Sequence, residues 1–155
     1  IVVLVEDKLG VLNRVVSVLR RRMLNVESIT IVRRSNETTR FTVTFKTDSV
    51  GLTRVIATLK KLVNVIEVTE LTAQETLFRD LALVKVENAK KNQAALKRLV
   101  DDVGGQIVNR GTRTITIEIS GEPEVLDKTI KQLEAFKIVD IARTGCTAMQ
   151  KRGDD

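Results

Sequence analysis

The chain has 155 residues, with 26 Lys or Arg, 20 Asp or Glu, one Cys and no His. The absence of His excludes an imidazole general base, a Ser-His-Asp triad and a His metal ligand, and the single Cys excludes an internal disulfide and a Cys-cluster metal site. The net charge of +6 lies mostly in residues 1–72, which hold 12 basic and 7 acidic side chains.

The expected location is the cytoplasm. Cys146 has mostly small or apolar neighbours, which indicates a structural thiol in a reducing compartment. No apolar run approaches the ~20 residues that a transmembrane helix needs, and no signal-peptide pattern is present. Because the first residue is Ile1, we expect residues before it in the natural chain.

The first 70 residues predict four strands and two amphipathic helices. Apolar residues recur every three to four positions from Val11, in a helix expected to end at Asn25, and again from Leu52. Runs of β-branched or alternating apolar residues predict strands at residues 1–5, 26–31, 41–45 and 65–69. The order β-α-β-β-α-β is the split βαβ arrangement of ferredoxin-like folds.

The second half repeats this order after a stretch of low periodicity at residues 71–79. Strands are predicted at residues 81–86, 106–109, 114–119 and a last one at 138–141, with helices before Gly104 and after Pro123. The predicted fold is therefore α+β, with two ferredoxin-like βαββαβ units, each an antiparallel sheet with helices on one face, in domains 1–72 and 73–155. The other face of each sheet is left open, so we expect self-association into at least a dimer.

The strongest local signal is a strand followed by a glycine turn and a helix at residues 6–12. Unpaired N–H groups at a helix start lie at the positive end of the helix dipole and can hold a carboxylate. Gly10 would leave room for a ligand close to the backbone. A glycine before a helix is more often only a turn, so the spacing alone leaves both interpretations open.

Five segments carry a more specific pattern: LVEDKLGVLNRV at 4–15, RRMLNVESITI at 21–31, KLVNVIEV at 61–68, RDLALVKV at 79–86 and KIVDIARTG at 137–145. In this order they resemble the small regulatory subunits of acetohydroxyacid synthase (acetolactate synthase), in which the first unit is an ACT domain. The resemblance implies a non-catalytic homodimer that activates a catalytic large subunit and makes it sensitive to valine, or alternatively to leucine or isoleucine. Thiamine diphosphate, Mg²⁺ and FAD would belong to that partner, with no cofactor on this chain.

In this family the effector lies between the ACT domains of two chains. The resemblance places one contact set on the loop before the first helix, at Asp7, Lys8, Leu9, Gly10, Val11 and Leu12. It places the other after that helix, at Asn25, Val26, Glu27, Ser28, Ile29 and Thr30.

The expected roles within these sets follow from their chemistry. Backbone N–H groups near Gly10 would hold the effector carboxylate, Asp7 and Asn25 would accept from its ammonium group, and Val11 or Ile29 would line an isopropyl pocket. Asn25 could equally be a helix C-cap. The family usually has Asn, Pro and Gly at positions 7, 9 and 23, where this chain has Asp, Leu and Met.

Two other function classes are less favoured. A nucleic-acid binder would use the basic cluster Arg20–Arg22, but the chain has only four aromatic residues and no residues to spare for a DNA-binding module. An independent enzyme would need a His base, a nucleotide loop or clustered carboxylates, and the Glu27-Ser28 pair has no third group to orient a base. We therefore expect neither nucleic acid nor membrane as a partner.

Overall fold

The structure is a computed structural model that describes residues 1–88 and 92–151. By compactness the chain divides into a first unit, Ile1–Leu77 with Gly145–Asp155, and a second unit, Phe78–Thr144. The division into domains 1–72 and 73–155 stays a prediction. Residues 89–91 and 152–155 of the second predicted domain lie outside the described residues.

The first unit is an antiparallel sheet with two helices packed on one face. Its elements up to the fourth strand are β1 (Val2–Glu6), α1 (Val11–Arg21), β2 (Asn25–Arg33), β3 (Thr38–Lys46), α2 (Ser49–Leu59) and β4 (Val65–Thr69). The strand order is β2-β3-β1-β4. Val3 and Val43 from the sheet, Val15 from α1 and Leu59 from α2 meet in the core, each fully buried. This burial of one helix stripe and one sheet face explains the apolar periodicities of the sequence.

Helix α1 ends earlier than predicted. Its last residue is Arg21, and the chain then turns through Met23, whose φ is 52°. The prediction that Asn25 ends the helix is wrong, because Asn25 is already the first residue of β2. The alternative role of Asn25 as a C-cap fails for the same reason, since Arg22 is the C-cap.

The second unit repeats the arrangement. Its elements are β5 (Thr76–Glu87), which begins in the first unit, α3 (Gln93–Asp102), β6 (Gln106–Arg110), β7 (Thr114–Gly121), α4 (Pro123–Leu133), a short 3₁₀ helix (Glu134–Phe136) and β8 (Ile138–Arg143). The strand order is β6-β7-β5-β8, and the predicted α+β fold with two ferredoxin-like units is confirmed. The stretch 71–79 is not entirely a connection, because β5 already begins at Thr76, a buried polar residue.

A ninth strand, β9 (Thr147–Gln150), follows the strand that we predicted to be the last. The segment 145–148 lies on the face of the first sheet opposite its helices, where the Cys146 N–H donates to Ser28 Oγ at 3.3 Å. Arg40 Nη2 on the same face donates to the Ala148 carbonyl at 2.6 Å. The face expected to stay open is therefore partly covered by the chain itself, and dimerisation stays a prediction.

Within residues 1–88 and 92–151, every helix is too short or too polar to cross a bilayer.

Candidate functional site

A cleft of about 470 Å³ lies beside the loop between β1 and α1 in the first unit. All six residues of the first predicted contact set line it. They are joined by Val5, Glu6, Ile31, Arg33, Thr39 and Phe41. The size falls within the range of roughly 300–1,000 Å³ typical of small-molecule sites. The structure thus brings the strand-to-helix loop into a cavity together with the β2–β3 hairpin.

Gly10 forms the turn at the start of α1 in the left-handed backbone region. Its φ is 81°, and a Cβ built on it would meet nothing within 4 Å. Among the residues that the structure describes, the N–H groups of Leu12 and Asn13 have no hydrogen-bond acceptor. These groups lie at the positive end of the helix dipole, so an anionic group in the cleft would be stabilised here.

The carboxylate of Asp7 is paired across the cleft. Arg33 Nη2 lies 2.5 Å from Asp7 Oδ2, and the Asp7 N–H donates to the Glu37 carbonyl at 2.8 Å. The side chain of Asp7 is 27% exposed and that of Arg33 is 68% exposed. Because Arg33 offsets the negative charge, Asp7 repels an incoming carboxylate less than an isolated aspartate would.

Glu6 forms a second charged group at the rim. Lys8 Nζ lies 2.6 Å from Glu6 Oε2, and Asn64 Nδ2 donates to the same oxygen at 2.7 Å. The hydrogen bonds from Lys8 and Asn64, with the charge of Lys8, lower the pKa of Glu6 from its ordinary value. Glu6 is therefore ionised at neutral pH and is already satisfied by neighbours within its own unit.

The two residues expected to line an isopropyl pocket are placed differently. Val11 lines the cleft, although it is 2% exposed and belongs to the core, and Ile29 packs against that core without lining the cleft of its own chain. The exposed apolar side chains at the cleft are Leu9, Leu12 and Ile31, with exposures of 98%, 38% and 45%. A branched aliphatic side chain would meet these residues.

None of the second contact set lines the cleft of its own chain. Asn25, Val26, Glu27, Ser28, Ile29 and Thr30 lie on β2, which stands at the edge of the sheet. An effector that touches both sets therefore needs a second chain whose β2 approaches the cleft. Ser28 and Thr30 also face the segment that begins at Gly145, because a Cβ on Gly145 would lie 3.0 Å from Ser28 Cβ and 3.3 Å from Thr30 Oγ1.

The pair Glu27 and Ser28 has structural partners. Glu27 Oε1 lies 3.0 Å from Lys46 Nζ, and the hydroxyl oxygens of Ser28 and Thr44 are 2.5 Å apart. These contacts hold β2 to β3, which accords with the structural rather than the catalytic interpretation.

Sequence reasoning missed Ile31, Arg33 and Thr39 as cleft residues. The register explains the omission: β3 pairs Thr39 with both Val5 of β1 and Arg33 of β2, which brings the end of the hairpin beside the loop. A hairpin register depends on where the turn falls, and the polar stretch at residues 33–39 did not specify that position.

Each half of the chain matches a model of a known protein family. Residues 1–67 match the model described as "AHAS small subunit-like ACT domain", and residues 79–152 match the model described as "Small subunit of acetolactate synthase". The acetolactate synthase small subunit of Haemophilus influenzae is 33% identical over 151 residues, covering 96% of this chain and 93% of that protein. This chain belongs to the acetolactate synthase small-subunit family.

Other members of the acetolactate synthase small-subunit family agree over nearly the whole chain. The small subunit of Mycolicibacterium smegmatis is 32% identical over 150 residues, covering 96% of this chain and 88% of that protein. The chloroplastic small subunit 2 of Arabidopsis thaliana is 34% identical over 149 residues, but this chain spans only 31% of its length. The crystal structure of the Thermotoga maritima small subunit has 28% identity and a TM-score of 0.88, covering 99% of this chain and 96% of that chain.

Proposed function

We propose that this chain is a non-catalytic regulatory subunit that activates the catalytic subunit of an acetolactate synthase and makes it sensitive to valine. Valine binds in the cleft of the first unit, between the loop at residues 7–12 of one chain and β2 of a second chain in a homodimer. The catalytic subunit carries thiamine diphosphate, Mg²⁺ and FAD. Leucine and isoleucine are the alternative effectors, because they share the branched side chain.

The observation that carries this proposal is the open cleft at Gly10. It combines N–H groups at the start of α1 that have no acceptor among the described residues, and that suit a carboxylate, with the exposed aliphatic side chains of Leu12 and Ile31. The Asp7 carboxylate can accept from an ammonium group, while Arg33 limits its repulsion of the carboxylate. A branched-chain amino acid has the three groups that complement these features: a carboxylate, an ammonium group and a branched aliphatic side chain.

The first prediction is that isothermal titration with L-valine detects saturable binding, whereas D-valine gives none. L-leucine and L-isoleucine establish the effector preference. In the variant Gly10→Asp, L-valine binds at least ~10-fold more weakly, equivalent to roughly 1.4 kcal/mol, because the new carboxylate occupies the space beside the N–H groups and repels the ligand. Adding valine to the assembled complex is expected to lower acetolactate formation in the wild type and much less in the variant.

Gly104→Asp is the matched control. Gly104 also has positive φ, at 66°, and a Cβ there also meets nothing within 4 Å, but it does not line the cleft. The strain of a side chain at positive φ is thus common to both variants. If Gly10→Asp and Gly104→Asp lose valine affinity equally, or if Gly10→Asp binds valine like the wild type, the placement of the valine site in this cleft is contradicted.

A further inference from the structure

The helices of the first unit present a surface with only one sign of charge. Residues 11–24 contain Arg14, Arg20, Arg21 and Arg22 and no acidic residue. Residues 49–63 contain Arg54, Lys60 and Lys61 and again no acidic residue. All seven side chains belong to exposed residues, and we call this surface the basic helix face.

The charges of the basic helix face have no ion-pair partner among the residues that the structure describes. Over the described ranges of the chain, none of the seven has a carboxylate within 4.0 Å. Arg14 is linked to the carboxylate of Glu6 indirectly. Arg14 Nη1 donates to Asn64 Oδ1 at 3.1 Å, and Asn64 Nδ2 donates to Glu6. Clustered cations repel one another in the free subunit, and an anionic partner would relieve that repulsion.

A cleft of about 350 Å³ lies within this face. It is lined by Asn13, Arg14, Ser17, Arg20, Arg21 and Leu62. The guanidinium groups of arginine bind carboxylates through two parallel hydrogen bonds, so a cleft with three arginines suits an acidic side chain.

The surroundings of the cleft favour a protein partner over a nucleic acid. Val16, one helical turn before Arg20, is 38% exposed, and Val63, next to Leu62, is 71% exposed. Exposed aliphatic groups next to arginine are typical of protein interfaces. Nucleic-acid surfaces of similar charge use aromatic platforms, and of the two aromatic residues in residues 1–77, Phe41 is buried and Phe45 packs against the core.

We propose that the basic helix face docks an acidic surface of the catalytic subunit, with a carboxylate of that subunit in the cleft beside Arg20 and Arg21. The inference rests on the proposed function, since it identifies where the partner of that function binds. The effector cleft at Gly10 is lined by a different set of residues, so docking and valine binding can be separated by mutation.

The test is the affinity of the full chain for its catalytic subunit, measured by titration of acetolactate activity and by biolayer interferometry at several salt concentrations. The double variant Arg20→Ala/Arg21→Ala is expected to bind at least ~10-fold more weakly at low salt and to lose part of the salt dependence, because two charge pairs are missing. Valine titration of the same variant is expected within about twofold of the wild type, which also reports that the first unit is folded.

Lys97→Ala/Arg98→Ala is the control, because these are two adjacent exposed cations on α3 of the second unit. The control is expected to bind the catalytic subunit like the wild type. Unchanged binding by Arg20→Ala/Arg21→Ala, or an equal loss in the control, overturns the docking surface while leaving the proposed function intact. A wild-type chain that does not bind the catalytic subunit overturns the proposed function as well, and tighter binding of a 30-nucleotide RNA than of the catalytic subunit overturns the choice of partner.

Discussion

Met23 is held in a backbone conformation that favours glycine. Its φ is 52° and its side chain is 93% exposed, so little packing compensates for the conformation. A side chain in the left-handed region costs roughly 1–2 kcal/mol. The family that this sequence resembles usually has Gly at position 23. The structure gives the physical reason, because the chain must reverse direction between α1 and β2 and does so through a positive φ at this residue.

Met23→Gly is therefore expected to stabilise the chain by about 0.5–1 kcal/mol, because relief of the strain exceeds the extra flexibility of glycine in the unfolded state. Urea denaturation followed by circular dichroism measures this as a higher midpoint. Met23→Ala is the control, since it removes the exposed side chain but keeps a Cβ at positive φ. A gain of the same size in Met23→Ala would show that the side chain, and not the backbone, is the source.

Among the elements, β5, β8 and α4 of the second unit are joined by a charged cluster. Asp80, 5% exposed on β5, accepts from Arg143 Nε of β8 at 2.5 Å and from Thr144 Oγ1 at 2.9 Å. Arg143 Nη1 also donates to Asp127 of α4. Burial lowers the pKa of Arg143, but the hydrogen bonds with Asp127 and Asp80 raise it more, so the pKa of Arg143 lies above its ordinary value and its guanidinium stays charged.

Asp80→Ala is expected to destabilise the second unit by about 2 kcal/mol, because the substitution leaves the half-buried Arg143 with fewer partners and opens a gap at the β5–β8 edge. Guanidinium unfolding at neutral pH measures the loss. The neighbouring ion pair offers the comparison: Arg79 Nη1 lies 3.8 Å from Glu122 on the surface, so Arg79→Ala is expected to cost below ~0.5 kcal/mol. Similar costs for both variants would argue against a special role for the buried cluster.

The sequence predicts a helix or strand where apolar residues recur at regular spacing, and it misses an element or contact that depends on polar residues. Apolar residues at helical spacing identified α1, because Val11, Val15 and Leu19 of the predicted stripe are all buried. The start of β5 was missed because its inward positions include the polar residues Thr76 and Asp80, which apolar periodicity does not detect. The resemblance placed Asp7 in the candidate site. It did not place Arg33, the ion-pair partner of Asp7, because the position of Arg33 depends on the register of the β2–β3 hairpin, which the polar residues 33–39 do not specify.

At the scale of the whole molecule, the last described strand returns to the first unit. Cys146 and Ala148 are 6% and 4% exposed, and Lys151 donates from its backbone N–H to the Glu75 carbonyl at 2.8 Å. The first unit is thus assembled from two separate stretches of the chain, one before and one after residues 78–144.

A chain that ends at Thr144 is expected to lose on the order of 3 kcal/mol in the stability of the first unit, because removal of the segment exposes apolar surface and breaks the bond of Arg40. Thermal unfolding and binding of the dye ANS measure the loss and the exposed surface. A chain that ends at Lys151 keeps the segment and is expected to match the wild type. An unchanged melting temperature in the shorter chain would show that the segment contributes little.

The returning segment also has a consequence for biosynthesis. The hydrogen bond from Cys146 to Ser28 spans 118 positions, so it forms only after all of residues 78–144 have left the ribosome. Domains usually fold during translation in the order in which they emerge. Here the second unit is fully synthesised while the sheet of the first still lacks its cover, and the unit that is translated first is the last to be completed.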